Sequence, residues 1–328
     1  MNATFQSVRE LDAGPVWQGL FERSWKPYRE WFLKEGEAKR PGYLTCRAAI
    51  SRHLPELVPT WKRLVDLAGG GDQAARFLSL YRPTPYLSGC SQAVWLRGER
   101  RLLIRNYDYH PRFFEGTILL SAWNGVRTIV QSDCLWGALD GMNEHGVAVS
   151  LSFGGRPQVG DGFGIPLVLR YLLETCRDCE AARAVLSRVP SHMSYNVSVL
   201  DRDGHWLTAY VAPDRPVRFD GSQVATNHQD DVEWNQYAQA VSTVERRQLL
   251  MDRVSAASET EQRFVSRFLV PPVFSDNYSQ SFGTLYTAIY SPRDGAVDYV
   301  WRNRTWRQSF DNFQEGAMTI QYIQPVVA

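Results

Sequence analysis

Short-range chain geometry would bring two charged side chains close to one cysteine. Cys90 opens a run that continues through Val94-Trp95-Leu96. The turn-like Arg97-Gly98-Glu99-Arg100 follows, and then Leu102-Leu103-Ile104. Two apolar runs around a short polar break read as a β-hairpin. Glycine first in a two-residue loop suits a type II′ turn at Gly98-Glu99. Paired positions then sum to 197, which sets Cys90 opposite Tyr107. Arg105 and Asp108 are close neighbours of that pair on the second strand. A guanidinium beside the sulfur would stabilise a thiolate or a developing oxyanion. A carboxylate would hold an ammonium in place. Positions 105 and 108 point to opposite faces of a regular strand. This reading therefore expects a bulge or strand end near Tyr107 that aims both groups at Cys90. Without such neighbours, a cysteine in a strand is simply a small buried hydrophobe.

Ser88-Gly89-Cys90-Ser91-Gln92, followed by Ile104-Arg105-Asn106-Tyr107-Asp108, resembles the nucleophile region of N-terminal-nucleophile (Ntn) amidases. Within them the chain is most similar to the acyl-coenzyme A:6-aminopenicillanic-acid acyltransferase family. That family is related to choloylglycine hydrolase, penicillin V acylase and acid ceramidase. Three later blocks agree in order and spacing. Gly141-Met142-Asn143-Glu144-His145-Gly146 resembles the group's Gly-x-Asn-Glu-x-Gly segment. Thr226-Asn227-His228 resembles its Thr-Asn segment, and Ser242-Thr243-Val244-Glu245-Arg246 resembles a later helix bearing a second active-site arginine. Only that last match favours Arg246 over its neighbour Arg247. Asn196 competes with Asn227 but reads as a strand position.

The resemblance implies an α+β fold of four layers, α-β-β-α. It implies self-cleavage between Gly89 and Cys90. Residues 1–89 would be a helical pro-segment or small subunit, and 90–328 the catalytic part. Once N-terminal, Cys90 would carry an α-amine of reference pKa about 7.7–8.0, able to act as general base at neutral pH. The implied oxyanion donors are Asn227 Nδ2 and the main-chain N–H of Asn143. Asp108 would orient the α-amine, and Arg105 and Arg246 would tune the electrostatics. The implied activity is cysteine amidase chemistry on the linear C–N bond of a small N-acyl amide, through a thioester and with no cofactor or metal. Transfer of an acyl group from an acyl-coenzyme A donor to an amine is the alternative. A binding protein that keeps the fold without catalysis is an alternative of another class. The retained Cys90, Arg105, Asp108 and Asn227 argue against it.

The elements that must position these residues change character near residue 90. Before it, Trp17, Leu20, Phe21, Trp25, Tyr28, Trp31 and Phe32 recur at helical spacing. Leu57, Val58, Trp61, Leu64 and Val65 repeat that pattern ahead of Gly69-Gly70-Gly71. Arg82-Pro83-Thr84-Pro85-Tyr86 then excludes helix, because each proline disfavours it in the preceding residue. After Cys90, strands are expected at 117–121, 126–131, 146–153, 195–200, 206–211, 282–290 and 297–301. Helices are expected at 165–186 and 236–257.

Composition narrows the classes. The chain has 328 residues, 36 Lys plus Arg and 35 Asp plus Glu, a net charge of +1. A general nucleic-acid or membrane-surface binder would carry a basic excess. No apolar run reaches the roughly 20 residues of a membrane span. No secretory signal pattern opens the chain, and five cysteines make no disulfide framework, so a cytoplasmic setting is expected. A homo-oligomer is left open. Cys176-x-x-Cys179 has redox or metal half-site spacing, but no second pair completes a zinc set. Helix packing accounts for it better than a redox function does. His110, His145 and His228 lack ligand spacing, and Gly69-Gly70-Gly71 lacks the lysine of a phosphate loop.

Overall fold

The computed structural model describes residues 1–278 and 282–322. Fifteen strands form two sheets among these residues. They are β1 (Asn2–Arg9), β2 (Gly89–Arg97), β3 (Arg100–Tyr109), β4 (Thr117–Ser121), β5 (Thr128–Asp133), β6 (Gly137–Asn143), β7 (Val147–Phe153), β8 (Tyr195–Asp201), β9 (Trp206–Val211), β10 (Arg218–Asp220), β11 (Val224–Ala225), β12 (Gly283–Ser291), β13 (Ala296–Trp301), β14 (Arg304–Ser309) and β15 (Gly316–Gln321). One sheet runs β10-β9-β8-β7-β6-β5-β4-β1-β15, the other β11-β2-β3-β12-β13-β14. The helices are α1 (Pro15–Phe32), α2 (Tyr43–His53), α3 (Val58–Leu67), α4 (Asp72–Leu78), α5 (Ile165–Thr175), α6 (Cys179–Arg188), α7 (Asn235–Ala240), α8 (Thr243–Ser255) and α9 (Glu261–Arg267). None is long and apolar enough to cross a membrane.

Alternation along the strands generates the layers, because successive side chains face opposite ways. In β2 and β3, Cys90, Val94, Leu103 and Tyr107 enter the core between the sheets. Ala93, Trp95, Leu102 and Ile104 face outward onto Leu250, Val254, Phe264 and Phe268 of the α8–α9 region. The outer face of the nine-stranded sheet carries Val147, Val149, Leu151, Val197 and Val199, covered by α1–α6. Helix, sheet, sheet, helix is the order that the family resemblance implies.

The first 89 residues are not all helix. β1 alternates Ala3, Phe5 and Ser7 inward with Asn2, Thr4 and Gln6 outward. It lies parallel to β4 and antiparallel to β15, inside the nine-stranded sheet. The α1 helix is tied to the same sheet by Trp17 Nε1, which donates to the Leu135 carbonyl at 2.9 Å. The expected helix at 165–186 is two helices, because Asp178 caps α6 by accepting from the Ala181 N–H at 2.7 Å. The one at 236–257 breaks at Ser242, which takes left-handed geometry at φ 48°.

Phe5 is fully buried between the sheets, against Phe114, Tyr286 and Trp301. Large-to-small changes at such a site remove both transfer energy and packing. Phe5→Ala is expected to lower unfolding free energy by about 3–5 kcal/mol, read as the urea midpoint. An unchanged midpoint would mean that β1 is peripheral.

Candidate active site

The β2–β3 hairpin has the register that the turn residues predict. Cys90 pairs with Tyr107, Gln92 with Arg105 and Gly89 with Asp108. Cys90 is fully buried at the start of β2. Arg105 Nη2 donates to its sulfur at 3.2 Å. The same guanidinium donates from Nε to the Leu151 carbonyl at 3.1 Å, from Nη1 to Tyr286 Oη at 3.1 Å, and to Asp140. Asp140 also accepts from Tyr286 Oη at 2.6 Å and from Tyr290 Oη. Burial pushes the Cys90 thiol up, and Arg105 opposes that shift.

The expected bulge near Tyr107 does not form in β2–β3. The irregularity falls between β3 and β12, at Thr284 and Tyr286 opposite Asp108 and Tyr107. Asp108 therefore stays on the face opposite Arg105. It accepts from Thr284 Oγ1 at 2.7 Å and lies 3.8 Å from Arg246 Nη1. Burial raises its carboxyl, opposed by Arg246, Thr284 and Arg105. The Cys90 main-chain nitrogen is held by a different group. It donates to Asn227 Oδ1 at 3.0 Å.

Asn227 joins the other parts of the site. Its Oδ1 also accepts from Arg246 Nη2 at 2.8 Å. Its Nδ2 donates to the Ser88 carbonyl at 3.3 Å and the Phe153 carbonyl at 3.2 Å. Arg246, on α8, donates from Nη1 to the Cys90 carbonyl at 2.7 Å and to Ser91 Oγ at 2.6 Å. Asn196 Nδ2 grips the Thr226 and His228 carbonyls at 2.7 and 3.0 Å, on either side of Asn227. It thus holds the loop while standing as a strand residue. Gly155, at φ +72°, lets the chain after β7 pass close to that loop. A Cβ there would lie 2.4 Å from the Asn227 carbonyl oxygen.

Cys90, Arg105, Asn227 and Arg246 therefore meet, with Asp108 beside Arg246. Asn143 does not join them. It sits at the turn end of β6, and its Nδ2 donates to the Leu173 and Cys176 carbonyls at 2.9 and 2.8 Å. The other end of β7, at Leu151 and Phe153, is the one that touches Arg105 and Asn227. Asn143, whose main-chain N–H was the expected oxyanion donor, has its side chain fixing the end of α5.

Two participants escaped the sequence reading. Asp140 pairs with Arg105, although a carboxylate inside a strand carries no pattern of its own. Tyr237 of α7 donates from Oη to the Ser88 carbonyl at 2.8 Å. It packs against Trp234 and Phe153, at ring-centroid distances of 5.3 and 5.2 Å.

A cavity of about 720 Å³ lies next to Tyr107, the cross-strand partner of Cys90. Tyr86, Tyr109, Phe114 and the α1 residues Tyr28 and Trp31 also line it. Glu115 and Asp133 line it too, and Tyr28 Oη donates to Glu115 at 2.9 Å. Burial and the charge of Glu115 raise the Asp133 carboxyl to about 7. Away from the site, burial pushes the Cys176 thiol up to about 11, the reverse of a redox-active cysteine.

His228 is held neutral beside Asn227. Burial, then Arg247 and Arg246, push it down to about 4 from an ordinary 6.5. The unfolded chain binds this proton between those values and the folded chain does not. The stability it contributes is therefore complete above about pH 6.5 and is lost as pH falls through about 4. Urea midpoints are expected to drop across that window, and less steeply in His228→Gln. Identical slopes in the two proteins would contradict this.

Residues 95–306 match the family described as acyl-coenzyme A:6-aminopenicillanic acid acyl-transferase. No curated protein matches the chain. Among solved structures it is similar to penicillin V acylase from Agrobacterium tumefaciens, at 14% identity over 70% of this chain and 90% of that one, TM-score 0.49. It is similar to a Caenorhabditis elegans N-acylethanolamine-hydrolyzing acid amidase ortholog, at 14% identity over 71% and 100%, TM-score 0.48. A mutant of conjugated bile acid hydrolase from Clostridium perfringens gives 14% identity over 72% and 97%, TM-score 0.45. The family match begins five residues after Cys90 and takes in Arg105, Asp108, Asn227 and Arg246. Since it spans well over half of the chain, the protein is an enzyme of the acyl-coenzyme A:6-aminopenicillanic acid acyl-transferase family.

Proposed function

We propose that this enzyme cleaves itself between Gly89 and Cys90 and then hydrolyses linear amide bonds of N-acyl substrates through a Cys90 thioester. The observation that carries this reading is the pairing at one residue. The Cys90 sulfur faces Arg105 at 3.2 Å, while the Cys90 nitrogen is held by Asn227 Oδ1 at 3.0 Å. Nucleophile and future α-amine are each positioned by a separate partner.

In the first step the sulfur attacks the Gly89 carbonyl carbon. The C–N bond to Cys90 breaks, and the nitrogen takes the thiol proton. Water then hydrolyses the thioester, leaving a Gly89 carboxylate and a Cys90 thiol with a free α-amine. That amine is the base for later turnovers. The sulfur attacks a substrate amide, the amine product leaves with the proton, and water resolves the acyl-enzyme. An amine in place of water gives acyl transfer, the chemistry in the family's name. Asn227 Nδ2 faces the Ser88 carbonyl in the uncut chain. Departure of Ser88 releases it toward a substrate oxyanion. The catalytic part is 90–328, and 1–89 remains bound as a companion chain, because β1 is an interior strand of the sheet. The aromatic cavity suits an apolar part of the substrate.

Intact-mass measurement tests the cleavage. The wild type is expected as two chains divided before Cys90 that co-elute until denatured, and Cys90→Ala as one chain. A single full-length wild-type chain under all conditions would sink the reading. Asn227→Ala, assayed per cleaved chain, is expected to lose about 10²–10³-fold in kcat.

A further inference from the structure

In the uncut chain the segment ahead of Cys90 occupies the site, and the groups gripping it form a specific cradle. Self-cleavage and substrate turnover pass through the same kind of bond, a thioester on the Cys90 sulfur. In the first thioester the acyl group is the Ser88-Gly89 end. The contacts to that end therefore describe an acyl group that the site is shaped to hold.

Two of its features are recognised. The Ser88 carbonyl accepts from Tyr237 Oη at 2.8 Å, and its longer contact to Asn227 Nδ2, 3.3 Å, is the one given up to the oxyanion in turnover. Counting the scissile carbonyl as C1, this oxygen is carried on the fourth atom. The second atom, the Gly89 α-carbon, has no room for a substituent. A Cβ there would lie 2.3 Å from the Phe282 ring and 3.1 Å from Asp108 Cβ. Upstream, Pro85 and Tyr86 line the aromatic cavity. Residues 83–88 form no helix or strand, so little regular structure opposes their displacement after cleavage.

We infer that the mature enzyme prefers amides of N-acylated glycine: an unsubstituted CH₂ next to the scissile carbonyl, then an amide whose oxygen takes the place of the Ser88 carbonyl. Tyr237 is the specificity residue for that oxygen, and Phe282 is the residue that excludes a side chain at the α-carbon. This inference rests on the proposed Cys90 mechanism. Sulfur attacks the glycyl carbonyl, the amine leaves protonated, and water releases the N-acylglycine.

The test uses wild-type protein whose cleavage before Cys90 has been verified by mass. It is assayed on acetylglycyl, pentanoyl and acetylalanyl amides of one fluorogenic arylamine, with rates taken per cleaved chain. A neutral hydrogen bond contributes roughly 1 kcal/mol, so kcat/KM is expected to be about fivefold higher for acetylglycyl than for pentanoyl. Acetylalanyl is expected to fall at least as far behind. Tyr237→Phe should pull the acetylglycyl-to-pentanoyl ratio toward one. Phe282→Ala should raise the acetylalanyl rate relative to acetylglycyl, a separate readout should Tyr237→Phe process poorly. A cleaved enzyme that turns over all three amides equally overturns the inference alone, as does a preference unmoved by both variants. An uncut wild-type chain overturns the underlying reading, and the inference with it.

Discussion

Arg105 is a charge with no water around it, and the way it is paired holds the site together. Burying an unpaired guanidinium would be prohibitive, so every direction it points must meet an acceptor. Those acceptors come from both sheets. Asp140 and the Leu151 carbonyl belong to the nine-stranded sheet, and Tyr286 and the Cys90 sulfur to the six-stranded one. One side chain therefore fixes the separation of the sheets at Cys90. Because Asp140 and two tyrosine hydroxyls already surround that charge, Arg105 reaches the sulfur as the outer member of a compensated network. Loss of Arg105 would leave Asp140 buried and without its cation.

Asn227 plays the matching part on the main-chain side of Cys90. Its oxygen joins the Cys90 nitrogen to Arg246, and its nitrogen joins the segment before Cys90 to the end of β7. The loop that carries it is held by Asn196, by Thr243 and by the close approach of Gly155. The site is thus two clamps on one residue, one for sulfur and one for nitrogen. In the proposed mechanism, self-cleavage and substrate turnover both draw on these two clamps.

The hairpin was legible because its register depends only on a two-residue turn, and that local rule sets Cys90 against Tyr107. The place of Asn227 and Arg246 beside Cys90 was legible only through resemblance, since they are more than 130 residues from it. Asn143 misled for a physical reason. An asparagine in a tight turn looks the same whether it serves a reaction or, as here, caps the carbonyls of Leu173 and Cys176. β1 was missed because its few apolar residues find partners only at 117–120 and 316–321. The bulge expected near Tyr107 was placed in the wrong pairing, since the irregularity that shapes the surroundings of Asp108 falls between β3 and β12.

The claim on which the account depends is that Cys90, once N-terminal, carries the acyl group on its sulfur. The direct measurement is acid-quenched turnover of an N-acyl amide, followed by peptide mapping. The account predicts the acyl mass on a peptide that begins at Cys90, removed by hydroxylamine as a thioester would be. An acyl group on another residue, or a peptide running unbroken through Gly89 and Cys90 in active enzyme, would contradict it.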